Sequence, residues 1–246
     1  RESGIDDLDW LGSIAFAGAT DDFIAAAFLS SMTSSWDPTY LVPLPRHGGN
    51  LLFAGFLGTA IGEGNIKALR QAANLCTPYK DDNYNHMKIF FEELKRRNTS
   101  MKKLGLDTDP GVSKTFREAL FKALKVAEDP SQSDERRSNA IRILGMANPP
   151  FDVSAQLTAL LTPRNSDRMH TEVLTALTHA RGRVLPDALF SRWNGLSPST
   201  RRAGISHLVR RSDWSTRLIE EARDNPAVRR SISPPQQIQL KNHRSQ

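Results

Sequence analysis

Ala140-Ile141-Arg142-Ile143-Leu144 returns 33 residues later as Val173-Leu174-Thr175-Ala176-Leu177 and, after a further 31, as Gly204-Ile205-Ser206-His207-Leu208. Each block covers a turn and a half of helix with its apolar side chains on one face. A short polar or proline-containing turn follows each block. After it comes a second apolar segment: Leu157, Leu160 and Leu161; then Leu185, Leu189 and Phe190; then Trp214, Leu218 and Ile219. This is a helical hairpin repeated at a period near 32 residues. One hairpin leaves an apolar face uncovered, so stacking on its neighbours has to supply the core.

The same three- and four-residue spacing runs outward through the chain, without a convincing run of alternating β-branched residues. The fold class that follows is all-α, an α-α superhelix of five or six hairpins. Helices are expected at 6–17, 20–32, 50–62, 65–76, 84–98, 113–128, 134–146, 152–162, 167–181, 184–194, 199–211 and 214–223. Asp134 and Asp167 stand six residues before Ala140 and Val173, and Asp21 stands likewise before Ala27, where a carboxylate caps free amides and meets the positive end of the helix. Ser197 and Ser199 flank the same place in the last block.

The first half is less regular. Pro38, Pro43, Pro45, Gly48 and Gly49 forbid a continuous helix between 33 and 50, a stretch that also carries Trp36 and Tyr40. A second break runs from Asn98 to Pro110. The organisation expected is therefore an irregular helical segment at 1–110, regular hairpins at 111–230, and a tail or linker at 231–246.

At 246 residues the chain can bury enough surface to fold without staples, and its one cysteine, Cys76, excludes an internal disulfide. No apolar run approaches the roughly 20 residues that span a bilayer. The chain starts at Arg1 rather than Met and shows no basic-then-apolar leader, so its true amino terminus is expected to have been removed or to lie upstream, and localisation is not read from this end. Net charge is +6, unevenly spread. Residues 1–110 hold 11 Lys and Arg against 14 Asp and Glu, whereas residues 111–246 hold 22 against 13. Basicity belongs to the second half, where it suits nucleic acid, anionic lipid or an acidic protein as readily as a solvated helix face.

Motifs that carry chemistry are absent. The six histidines form neither HExxH nor an i,i+4 pair. His170 and His179 are nine residues apart on one helix and so point to opposite faces. His207 fills the slot of Ile143 and Ala176, where it is either hydrogen-bonded in the core or facing a groove. Cys76 reads as a core residue. Gly55, Gly58, Gly62 and Gly64 read as close packing and a helix stop rather than a phosphate loop. Asn98-Thr99-Ser100 matches a glycosylation sequon. No cofactor and no metal site is expected.

The hairpins from 134 to 223 resemble HEAT repeats. Asp21-Asp22-Phe23-Ile24 leading to Ala27-Phe28-Leu29-Ser30-Ser31, then Ile66-Lys67-Ala68-Leu69-Arg70-Gln71-Ala72-Ala73, and the tail Ile232-Ser233-Pro234-Pro235-Gln236-Gln237 through Asn242-His243-Arg244, resemble the HEAT region of large exported proteins of planctomycete-type bacteria. In that family the helical region lies between a propeller resembling sugar dehydrogenases and a carboxy-terminal c-type cytochrome. This chain has no CxxCH and no propeller portion. The resemblance therefore implies the middle of a redox protein, with the electron chemistry on either side. It also implies a periplasmic or exported location; without it, a single cysteine fits the cytoplasm.

Function then reads as a non-catalytic scaffold for protein-protein or interdomain contacts, its concave face lined by the second helices. Arg136, Arg137, Arg168, Arg201, Arg202, Arg210 and Arg211 recur at repeat intervals and are expected to align into a basic ridge. The rival reading is nucleic-acid binding, because DNA-alkylation-repair glycosylases also use HEAT-like hairpins. There Trp193 and Trp214 would cradle DNA and Asp187 or Asp213 would stabilise positive charge on the sugar. Burial of both tryptophans between repeats would favour the scaffold.

Overall fold

The computed structural model describes residues 48–76, 84–147 and 151–243. The helices expected at 6–17 and 20–32, and nearly all of the 33–50 irregular stretch with Trp36 and Tyr40, lie outside the described residues. So do Asp21 and the part of the family resemblance that it opens. Twelve α-helices and one 3-10 turn make up the described secondary structure, without a strand among the described residues. The protein is all-α. Its chain divides into two compact units, the first ending at Phe121 and the second beginning at Lys122.

In the first unit α1 (Gly48–Gly62) packs on α2 (Ile66–Asn74) and α3 (Asn85–Arg96), and α4 (Pro110–Glu128) begins here. Gly64, at φ +64°, stops α1 because its left-handed backbone lets Asn65 N–H reach back to the Ala60 carbonyl at 2.9 Å. Asn98, at φ +48°, ends α3 in the same way, with Thr99 N–H on the Leu94 carbonyl at 2.9 Å. Phe90, Phe91 and Phe116 form an aromatic cluster with centroids 5.3 to 6.2 Å apart. Such rings bury large areas in edge and tilted geometries that relieve quadrupole repulsion. Asp109 caps α4 through Val112 N–H at 3.0 Å and pairs with Arg70 at 2.6 Å, which ties α2 to the loop before α4.

The second unit contains α5 (Asp134–Met146), α6 (Ser154–Ala159), α7 (Asp167–Leu177), α8 (Val184–Ser191), the 3-10 turn Trp193–Gly195, α9 (Pro198–Leu208), α10 (Ser212–Asp224), α11 (Pro226–Ser231) and α12 (Pro234–His243). The first helices of successive hairpins touch in order, α5 on α7 and α7 on α9, and the second helices α8 and α10 also meet. Ala140, Ile141, Leu144, Val173, Leu174, Leu177, Leu189, Ile205, Leu208 and Leu218 are buried. At Gly145 α5 lies directly against the backbone of α7. A Cβ there would sit 2.5 Å from the Ala176 Cβ and 2.6 Å from its Cα.

Two sequence expectations are corrected. Asp134 and Asp167 are not the caps of α5 and α7. Each is the first helical residue, and the serine before it, Ser133 or Ser166, accepts the third amide; Ser197 does the same for α9. A serine oxygen one bond from Cβ in extended backbone reaches those amides, and the aspartate at the next place cannot. The 231–246 tail also holds α12. This helix is secured by side-chain amides rather than by an apolar stripe, with Gln239 donating to the Val209 carbonyl at 2.9 Å and Gln236 to the Ser206 hydroxyl at 3.1 Å. A search for hydrophobic period passes over such a helix.

Candidate functional site

With the caps at Ser133, Ser166 and Ser197, the repeat positions of the second unit fall into register. Ala140, Val173 and Gly204 each stand seven residues past the cap, and Ile143, Ala176 and His207 ten past it. The fourth residue past each cap is basic or imidazole: Arg137, His170 and Arg201. Each reaches back to a carbonyl that closes the preceding segment. Arg137 Nε donates to Ala127 at 3.0 Å, His170 Nε2 to Thr162 at 2.8 Å, and Arg201 Nε to Trp193 at 2.9 Å. Ala127 stands in the last turn of α4, where carbonyls lack a partner within the helix, whereas the Thr162 and Trp193 carbonyls also accept the Asn165 and Leu196 amides. A carbonyl only accepts, so the proton on His170 stands at Nε2; its Nδ1 is buried without a partner.

The cap serines connect neighbouring repeats. Ser166 Oγ donates to Asp134 at 2.5 Å, and Ser197 and Ser199 Oγ donate to Asp167 at 2.6 and 2.7 Å. Those hydroxyls, Ser197 first and Ser199 next, hold the Asp167 carboxyl below the usual carboxylate range. Further contacts of the same reach are Arg137 to Asn165 (2.9 Å), Arg142 to Glu172 (2.5 Å) and Trp214 Nε1 to the Gly182 carbonyl (2.8 Å). All of these long contacts join residues 28 to 32 apart in sequence.

The arginines expected to form one ridge are divided among three places. Arg137 is 6% exposed and Arg201 half-buried, both bound to backbone. Arg136 and Arg168 are exposed in the first turns of α5 and α7, and Arg202 is exposed on α9. Counted from their caps these three are the third, second and fifth residues. At about 100° per residue the third place lies roughly 100° and 160° from the other two, so the three do not line one face, although the second and fifth fall within about 60° of each other. Arg210 and Arg211 lie in the turn between α9 and α10, where Arg211 forms a fork on Asp213 at 2.9 and 3.2 Å. That fork, its hydrogen bond before its charge, holds the Asp213 carboxyl low.

Trp193 and Trp214, offered by the sequence as nucleic-acid contacts, are 3% and 2% exposed. Neither has an open ring face for a base. Arg201 covers Trp193 at 5.3 Å from the ring centroid, and Arg211 covers Trp214 at 3.9 Å. Asp187 is an exposed carboxylate 3.5 Å from Arg217. His207 is half-buried, its pKa lowered by burial and then by Arg210. Cys76 is buried, with its thiol on the Ala72 carbonyl at 3.6 Å and pushed up in pKa by burial. Among the described residues no group of three His, Cys, Asp or Glu side chains could hold a metal ion, and no helix is long and apolar enough to cross a membrane.

The repeat register was legible in sequence, whereas the clasp at Arg137, His170 and Arg201 was passed over. Its signal is a serine followed four residues later by Arg or His. No protein-family model, no curated protein and no solved structure matches the chain.

Proposed function

We propose that the second unit is a short HEAT-like α-solenoid that serves as a non-catalytic scaffold for a protein partner or for neighbouring domains of the same polypeptide. The observation that carries this reading is the constant 28-to-32-residue reach of its long hydrogen bonds, each linking one hairpin to the next. Stacked units of this kind hold a broad surface rigid, so a partner docks without the cost of ordering loops. Arg137, His170 and Arg201 are occupied by carbonyl clasps and Ser166 and Ser197 by helix caps. In the parent that the resemblance implies, the unit spaces a propeller from a c-type cytochrome, and the electron chemistry lies in those domains.

Nucleic-acid binding is the competing reading, and the burial of Trp193 and Trp214 weighs against it. The test is a titration of the chain with labelled duplex DNA over a salt series, together with an assay for base release from alkylated duplex. The expected outcome is weak binding near ~0.15 M salt and no base release. Tight, steeply salt-dependent binding, or release of an alkylated base, overturns the scaffold in favour of the DNA-directed reading.

A further inference from the structure

The turns that join first to second helices in two successive hairpins gather cations at one place. Trp214 Nε1 donates to the Gly182 carbonyl at 2.8 Å, which joins the first turn of α10 to the α7-α8 turn. Arg181 and Arg183 flank Gly182 and are exposed. Arg211 lies on the Trp214 ring at 3.9 Å, and Arg210 precedes it, exposed. Four arginines thus flank this backbone contact, and one of them, Arg211, lies on the indole.

Two carboxylates enter the cluster: Asp213, forked on Arg211, and Glu220, 3.8 Å from Arg183. Arg181 and Arg210 meet no carboxylate among the described residues. Cations near helix C-termini stabilise the dipole, but that effect fades within the last turn. Arg181 and Arg183 stand four and six residues beyond Leu177, the end of α7, so helix stabilisation leaves them unexplained.

We infer that this edge docks an acidic segment of a protein partner, with the guanidiniums of Arg181, Arg183 and Arg210 taking spaced glutamate or aspartate side chains. Planar forks match carboxylates in geometry and lose little order on pairing. The central ring is covered, so no stacking platform faces solvent for a base. Asp213 and Glu220 interrupt the positive surface, which disfavours a continuous phosphodiester backbone and leaves room for carboxylates set apart by neutral residues. The inference rests on the scaffold reading and names the chemistry of its partner.

The test is fluorescence anisotropy with the full chain, at near-physiological salt, against a labelled peptide of alternating glutamate and glycine and against duplex DNA. Arg181→Gln/Arg183→Gln/Arg210→Gln is compared with Arg223→Gln/Arg229→Gln/Arg230→Gln, which removes equal charge from exposed positions on α10 and α11. Arg211 is kept because it covers Trp214. The turn variant is expected to weaken peptide binding by ~10-fold or more and the control by less than ~2-fold. Arg181→Glu alone, an exposed position in the turn, is expected to weaken it with an unchanged unfolding midpoint. Equal losses from both triple variants, or no peptide binding at all, overturn the acidic dock while leaving the scaffold standing. DNA binding tighter than peptide binding overturns both.

Discussion

Arg136 and Arg137 are adjacent in sequence and opposite in role. The first is exposed, whereas the second is buried with its guanidinium on the Ala127 carbonyl and Asn165. Arg137→Met is expected to cost about 2–3 kcal/mol in chemical denaturation, because a charged hydrogen bond is lost and a buried acceptor is left bare. Arg136→Ala should stay within about 0.5 kcal/mol, as exposed substitutions do. Equal effects would remove the clasp as a structural device. Trp214→Phe keeps most of the buried ring area and loses the hydrogen bond to Gly182, for an expected cost of about 1 kcal/mol or more. Asp167 sets a pH dependence. Its folded pKa lies below the unfolded value, so its contribution is present above the ordinary carboxylate range and disappears as pH falls through the folded value. Between about pH 5 and pH 2 the native protein should therefore lose more stability than Asp167→Asn. Parallel acid limbs in the two denaturation series would contradict this.

At the scale of elements, close packing of α5 on α7 depends on one missing side chain. Alanine favours a helix over glycine by about 0.8–1 kcal/mol, yet a Cβ at Gly145 meets the backbone of Ala176, which cannot rotate aside. Gly145→Ala is thus expected to destabilise by about 1–3 kcal/mol. Gly204→Ala meets the methyl end of Leu189 at 2.6 Å, which a rotamer change can relieve, so its cost should be the smaller of the two in parallel denaturation. The helices themselves were largely readable. The expected segment 134–146 coincides with α5, and 199–211 and 214–223 fall within three residues of α9 and α10. What escaped was any helix held by polar contacts, α12 above all, whose anchors are Gln236 and Gln239 rather than an apolar row. The arginines expected to form one ridge divide at this scale too, since Arg137 and Arg201 turn to backbone carbonyls and Arg211 to Asp213.

Across the second unit, long hydrogen bonds tie segments 30 to 32 residues apart, Ser166 to Asp134, Ser197 to Asp167 and Trp214 to Gly182. If the unit is the solenoid proposed above, disturbance stays local. In hydrogen exchange, Gly145→Ala should accelerate amides of α5 and α7 strongly and those of α11 and α12 little; uniform acceleration would mean that the unit opens as one body. The sequence by itself determined the helical class and the hairpin period, because burial of one face per helix writes itself as spacing along the chain. It also marked Cys76 as core and Gly64 as a stop, both local consequences of residue type. Only the tertiary structure decided which arginine is a buried clasp and which is a surface charge, that serine rather than aspartate caps α5, α7 and α9, and that both tryptophans lie covered beneath guanidiniums. Those outcomes depend on which amides, carbonyls and rings the folded backbone brings within reach, three to ten residues away for the caps, clasps and ring contacts, and composition at one position does not encode that geometry.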